Sequence, residues 1–177
     1  MTTWIAFFRG INVGGRNVLP MKALKALLEE LGCTAVRTYI QSGNVVFRHE
    51  EGQATRLAKT ISETVFDCFH FAPYVSLMTK GHLKAALAAN PFTTAEEIPK
   101  SLHLYFLSAV PTEADFEELN KLRSTSEEFE LIDQVFYLHA PDGIGRSKLA
   151  ARAEKLLGVQ ATARNWRTAQ KVLELAE

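Results

Sequence analysis

The sequence is short of cysteine, of net charge and of long apolar runs, and each shortage removes a class of function. Of 177 residues only two are cysteine, Cys33 and Cys68. Neither sits in a CxxC pair or beside a histidine at metal-ligand spacing. A disulfide framework is therefore not expected, and two reduced thiols in an intracellular chain are. Cys68 lies in the run Val65–Phe71, rich in aromatics. That neighbourhood predicts a buried structural thiol over a reactive one.

Lys plus Arg and Asp plus Glu number twenty each, so the formal net charge is zero. A global electrostatic hold on nucleic acid is not supported, although a local basic patch is still allowed. The apolar segment near the N-terminus, Trp4–Phe8, is too short for a signal peptide and has no basic residue before it. No apolar run approaches the ~20 residues that span a bilayer. The expectation is a cytoplasmic protein with no membrane partner.

Catalytic signatures are missing as well. There is no HExxH, GxSxG, GxGxxG or GxxxxGK[ST] pattern. His49, His70, His82, His103 and His139 show no metal spacing. His103 and His139 lie in apolar strand-like runs, which predicts core or sheet-face positions. Nothing names a cofactor, and the balance leans away from an enzyme.

What is present is a regular plan. Trp4–Phe8 reads as a buried strand. Pro20 suits the first turn of a helix in which Met21, Leu24, Leu27, Leu28 and Leu31 recur at helical spacing before Gly32 ends it. Ala35–Ile40 and Val45–Arg48 flank Ser42-Gly43 as a β-hairpin. A helix through Leu57, Ile61, Val65 and Phe69, a strand at Tyr74–Met78 and a helix capped by Thr79 complete the first half.

The order then repeats. Leu102–Leu107 reads as a strand, Thr112 with Asp115 as a capping box, and Phe129–Ile132 with Val135–His139 as a hairpin. A helix ended by Gly158, a strand at Val159–Ala163 and a helix from Asn165 follow. Strand, helix, hairpin, helix, strand is the βαββαβ plan. The predicted fold is α+β, two ferredoxin-like subdomains with antiparallel sheets and helices on one face, arising by duplication. The expected boundaries are 1–90 and 101–177, joined by the irregular stretch 91–100.

Four polar motifs stand out. They are RGINVGGRN after the first strand, TYIQSGNVVF (Thr38–Phe47), GRSKL (Gly145–Leu149) and TARNWRT (Thr162–Thr168). In this order and spacing the chain resembles the bacterial domain-of-unknown-function family 1697 over essentially its whole length. The resemblance implies the same α+β plan. It implies no activity, substrate, cofactor or catalytic residue.

On their own terms, segments 9–17, 41–44, 143–152 and 162–171 hold Arg9, Arg16, Arg146, Lys148, Arg152, Arg164, Arg167 and Lys171, and contain no Asp or Glu. Acids gather elsewhere, as at Glu29-Glu30, Glu50-Glu51 and Glu96-Glu97. Such segregation lets a neutral chain present one basic surface. If the subdomains face each other, the motifs line one cleft. The ligand-binding set is then Arg9, Asn12, Gly14, Gly15, Arg16, Gln41, Ser42, Asn44, Arg146, Ser147, Lys148, Arg164 and Asn165.

These side chains suit phosphate, carboxylate or ribose, and they do not titrate near pH 7. The plainer alternative stays open at every motif. Gly14 and Gly15 equally suit a tight turn with positive φ, with Asn12 and Asn17 bonding the backbone. Ser147 and Asn165 equally suit helix caps. Three functions follow: a binder of an anionic small molecule or single-stranded nucleic acid, an enzyme acting on a phosphorylated or nucleotide substrate, and a partner-binding structural protein. Oligomeric state is open.

Overall fold

The structure is a computed structural model describing residues Met1–Glu177. The chain divides into two compact units, Met1–Ala85 with Gln170–Glu177, and Ala86–Ala169. The last eight residues thus group with the first unit and not with the segment they follow.

In the first unit the elements run β1 (Thr2–Arg9), α1 (Met21–Glu30), β2 (Thr34–Tyr39), β3 (Asn44–His49), α2 (Ala54–Phe69) and β4 (Tyr74–Thr79). The sheet is antiparallel with strand order β2-β3-β1-β4. That order is the ferredoxin-like arrangement expected from the sequence. One face of the central strand, Trp4, Ala6 and Phe8, packs with Leu24, Leu28, Leu57, Ile61 and Val65 from the two helices. The apolar positions of each helix recur three or four apart, so only one stripe of each meets the sheet.

A third helix, α3 (Lys80–Ala88), leaves β4, and Thr79 Oγ1 accepts a hydrogen bond from His82 N at 3.2 Å, as an N-cap should. A 3-10 turn at Thr93–Glu97 follows. The second unit then runs β5 (Leu102–Leu107), α4 (Phe116–Leu122), β6 (Glu128–Ile132), β7 (Val135–His139), α5 (Lys148–Leu157) and β8 (Ala161–Asn165). Its order, β6-β7-β5-β8, is the same arrangement. Tyr105, Phe136, Leu138, Leu149, Ala153 and Leu157 form its core. The last helix, α6 (Trp166–Leu175), crosses the division between the units.

Two local expectations are corrected. Cys68 is exposed, and Cys33 is the buried thiol, its pKa pushed up to about 11 by desolvation. Along α2 the buried positions are Leu57, Ile61 and Val65, and they stop short of Cys68, which lies exposed in the last turn of the helix. Thr112 is not the cap of α4. Asp115 is, its carboxylate accepting from Glu118 N at 2.9 Å.

The outer strand β2 is irregular. Pairing of β2 with β3 shifts between Thr34 and Arg37, where Ala35 holds a φ of 51°. Arg37 Nη1 donates to the Leu175 carbonyl at 3.1 Å. No helix is long and apolar enough to cross a membrane.

Candidate anion-binding site

The glycine-rich segment does not form a cradle ahead of a helix. It is a miniature hairpin. Arg16 N donates to Val13 O at 3.0 Å, and Asn12 N donates to Asn17 O at 3.1 Å. Gly14 and Gly15 sit at its tip with φ of 57° and 73°. Positive φ at both central residues is what a two-residue type I′ turn requires, and glycine meets it without strain. Every residue from Val13 to Val18 is exposed.

Asn12 ties this hairpin down. Its Nδ2 donates to Leu19 O at 2.9 Å and to Gln41 O at 2.8 Å, and its Oδ1 accepts from Leu19 N at 2.8 Å. Asn17 Nδ2 donates to Gly10 O at 2.9 Å. Both asparagines therefore act through the backbone, the plainer of the two sequence readings for their side chains. The bond to Gln41 crosses to the turn between β2 and β3, so RGINVGGRN and QSGN meet at one end of the first sheet.

That turn is fixed from below. Phe8 N donates to Gly43 O at 2.8 Å. Gly43 has φ of 76°, and a Cβ there would lie 2.6 Å from Ile11 Cδ1 and 2.7 Å from Phe8 Cβ. Asn44 is fully buried, and its Nδ2 donates to Tyr39 O and to Ser42 Oγ at 3.1 and 2.9 Å. Arg9 ends β1 opposite Tyr74, so it belongs to the same end of the sheet. Arg9, Arg16, Gln41 and Ser42 are exposed there.

The second unit brings its two motifs to one end of its own sheet. Register places His103 opposite both Leu138 and Asn165, and Leu104 opposite Arg164. The start of β5, the exit of β7, the entry of α5 and the entry of α6 thus coincide. Ser147 Oγ accepts from Ala150 N, and Asn165 Oδ1 accepts from Thr168 N, both at 2.9 Å. These two side chains are helix caps. Arg164 Nη1 donates to Ala163 O at 2.8 Å, and desolvation pulls its guanidinium pKa down to about 10. Arg146 and Lys148 are exposed on either side of Ser147.

The charge segregation of the linear sequence is not kept in space throughout. Arg152 lies 3.6 Å from Glu118, and Lys171 lies 2.6 Å from Glu174. Acids outside the basic segments reach both. The end of the second sheet also carries Glu128, 3.3 Å from His139, and Asp142, which accepts from Ser126 Oγ.

Sequence reasoning passed over one set of residues. Val13, Val18 and Ile40 are exposed at 66%, 58% and 54% on the two loops that Asn12 joins. Their signal was local: aliphatic residues beside turn residues, outside any periodic stripe. His103 Nδ1, Thr162 Oγ1 and Trp166 Nε1 are buried without a hydrogen-bond partner. Burial lowers the His103 pKa to about 4, so its ring is neutral at pH 7. No group of three or more His, Cys, Asp or Glu side chains comes together at metal-binding range.

A family model described as "Protein of unknown function (DUF1697)" matches residues 1–137. No curated protein matches the chain. Among solved structures, the conserved bacterial protein SP0830 from Streptococcus pneumoniae is similar over 99% of each chain, with a TM-score of 0.69 at 22% identity. That likeness is one of fold.

Proposed function

This chain belongs to the DUF1697 family, proteins of unknown function, and we propose that it binds an anionic, phosphate-bearing ligand at the loop end of its first unit. The observation that carries the reading is the bond from Asn12 to Gln41, which draws two acid-free segments together. Arg9 and Arg16 supply charge, and Gln41, Ser42 and the exposed amides of Gly14 and Gly15 supply neutral donors. Asn12 and Asn44 position these groups. The second unit is the weaker host, because Ser147 and Asn165 serve as caps and Glu128 and Asp142 share its basic end.

A thermal-shift screen with nucleotides, phosphosugars and single-stranded oligonucleotides tests the proposal. A ligand at 100 times its Kd adds about 2.7 kcal/mol, a shift of several degrees for a chain of this size. Arg16→Ala is expected to abolish most of the shift and leave the unliganded melt unchanged. If no anion raises the melting temperature, the reading is wrong.

A further inference from the structure

We propose that the anion taken by the first unit is a single nucleic-acid strand, held by the Val13–Arg16 hairpin and the Ile40–Gly43 turn. The inference rests on the anion reading above and narrows it.

The shape of the site is the first ground. A free nucleotide or a sugar phosphate is best held in a hollow that covers most of its surface. Here all six residues from Val13 to Val18 are exposed. The loop presents a ridge, and a ridge suits an extended ligand that lies along it.

The second ground is the mixture of side chains. Arg16 and Arg9 match phosphates, but Val13, Val18 and Ile40 have no use for a simple inorganic anion. A nucleic-acid strand offers both chemistries at once, a charged backbone and flat apolar base faces. Aliphatic residues on protruding elements are known wedges against bases. Half-buried Tyr39, next to Ile40, adds an aromatic ring at the same end.

Stiffness is the third ground. Asn12 makes two hydrogen bonds with Leu19 that close its own loop and one to Gln41 that joins the two loops, and Gly43 seats the turn against Ile11 and Phe8. A ridge held this way loses little freedom on binding. Neither loop contains an Asp or Glu. An anionic lipid surface is the competing polyanion. The ridge lacks the Trp, Phe and Leu residues that carry interfacial insertion, which favours the strand.

The test is fluorescence anisotropy with the full chain and a labelled oligothymidylate of about 12 nucleotides, within the span that single-strand binders occupy. Affinity is expected to fall as salt rises, with a logarithmic slope of about −0.7 per phosphate contacted. Arg16→Ala should weaken binding about tenfold and lower that slope by one contact. The double variant Val13→Ser, Ile40→Ser should also weaken binding about tenfold, with the slope unchanged. Inorganic polyphosphate should compete poorly. All these side chains are exposed, so an unchanged thermal melt verifies folding.

If the serine variant binds as tightly as the parent, or polyphosphate competes as well as unlabelled oligonucleotide, the strand inference falls and the anion reading stands. If phosphatidylglycerol vesicles capture the protein and the oligonucleotide does not, the surface serves lipid and the inference is overturned. If oligonucleotide, polyphosphate and ATP all fail to bind, both readings fall together.

Discussion

The two units share one strand order and differ in what they hang on it. In the first, the connection from β1 to α1 is acid-free and folds back as a hairpin strapped to the neighbouring turn. In the second, the equivalent connection from β5 to α4 carries Glu113 and Asp115, and Asp115 caps the helix that follows. The polar motifs of the second unit lie at the other end of the common topology, where β5 begins and β8 ends. Identical topology therefore places chemistry at non-equivalent positions. The sheet is a platform, and the loops decide what each copy of it can meet.

The contrast is sharpest at the hairpin turns. Gly43→Ala forces a side chain into Ile11 and Phe8 at a positive φ, and a loss of about 3 kcal/mol or more is expected. The matching turn in the second unit already holds a non-glycine residue at positive φ, Asp133 at 51°. Asp133→Ala should cost about 1 kcal/mol. Chemical denaturation of both variants checks this, and equal losses would mean the two turns are equivalent after all.

Acid separates the units next. His103 is neutral in the folded second unit because burial lowers its pKa from 6.5 to about 4. Between those values the unfolded chain binds the extra proton, so stability is present above about pH 6.5 and lost as pH falls toward 4. The loss should reach about 2–3 kcal/mol. His103→Phe should flatten that slope in urea melts at pH 7 and 4.5. An unaltered slope would show that other groups govern acid unfolding.

Single polar side chains provide the smallest contrast. Asn12→Ala removes three hydrogen bonds and should cost about 2 kcal/mol. Ser147→Ala and Asn165→Ala each remove one cap bond, at about 1 kcal/mol apiece. Equal costs, read from thermal melts, would make Asn12 an ordinary turn residue.

Much of the fold is legible in the sequence because its signals are local. Spaced leucines, Gly32 and Gly158 after helices, and turn residues between apolar runs each act within a few positions. The rest depends on distance. Cys68 looked buried from its neighbours, yet it lies exposed in the last turn of α2, past the last buried position, Val65. The eight residues Gln170–Glu177 group with a unit that begins at Met1. Nothing in their sequence states that, since the bond from Arg37 to Leu175 spans 138 positions. The candidate site was legible in part. Acid-free motifs marked its segments, but which segments meet is fixed by Asn12 reaching Gln41, 29 positions away.

That bond from Arg37 has a meaning beyond local stability. An outer strand with free amides and carbonyls is where sheets of separate molecules fuse into aggregates. In the second unit, Glu128 and Glu130 on the outer strand β6 repel such an approach. The first unit has little charge on β2. It distorts the strand at Ala35, and Arg37 on that strand holds the Leu175 carbonyl at the end of α6. The last turn of α6 thus helps to shield the edge of β2, and losing it would open that edge to other strands.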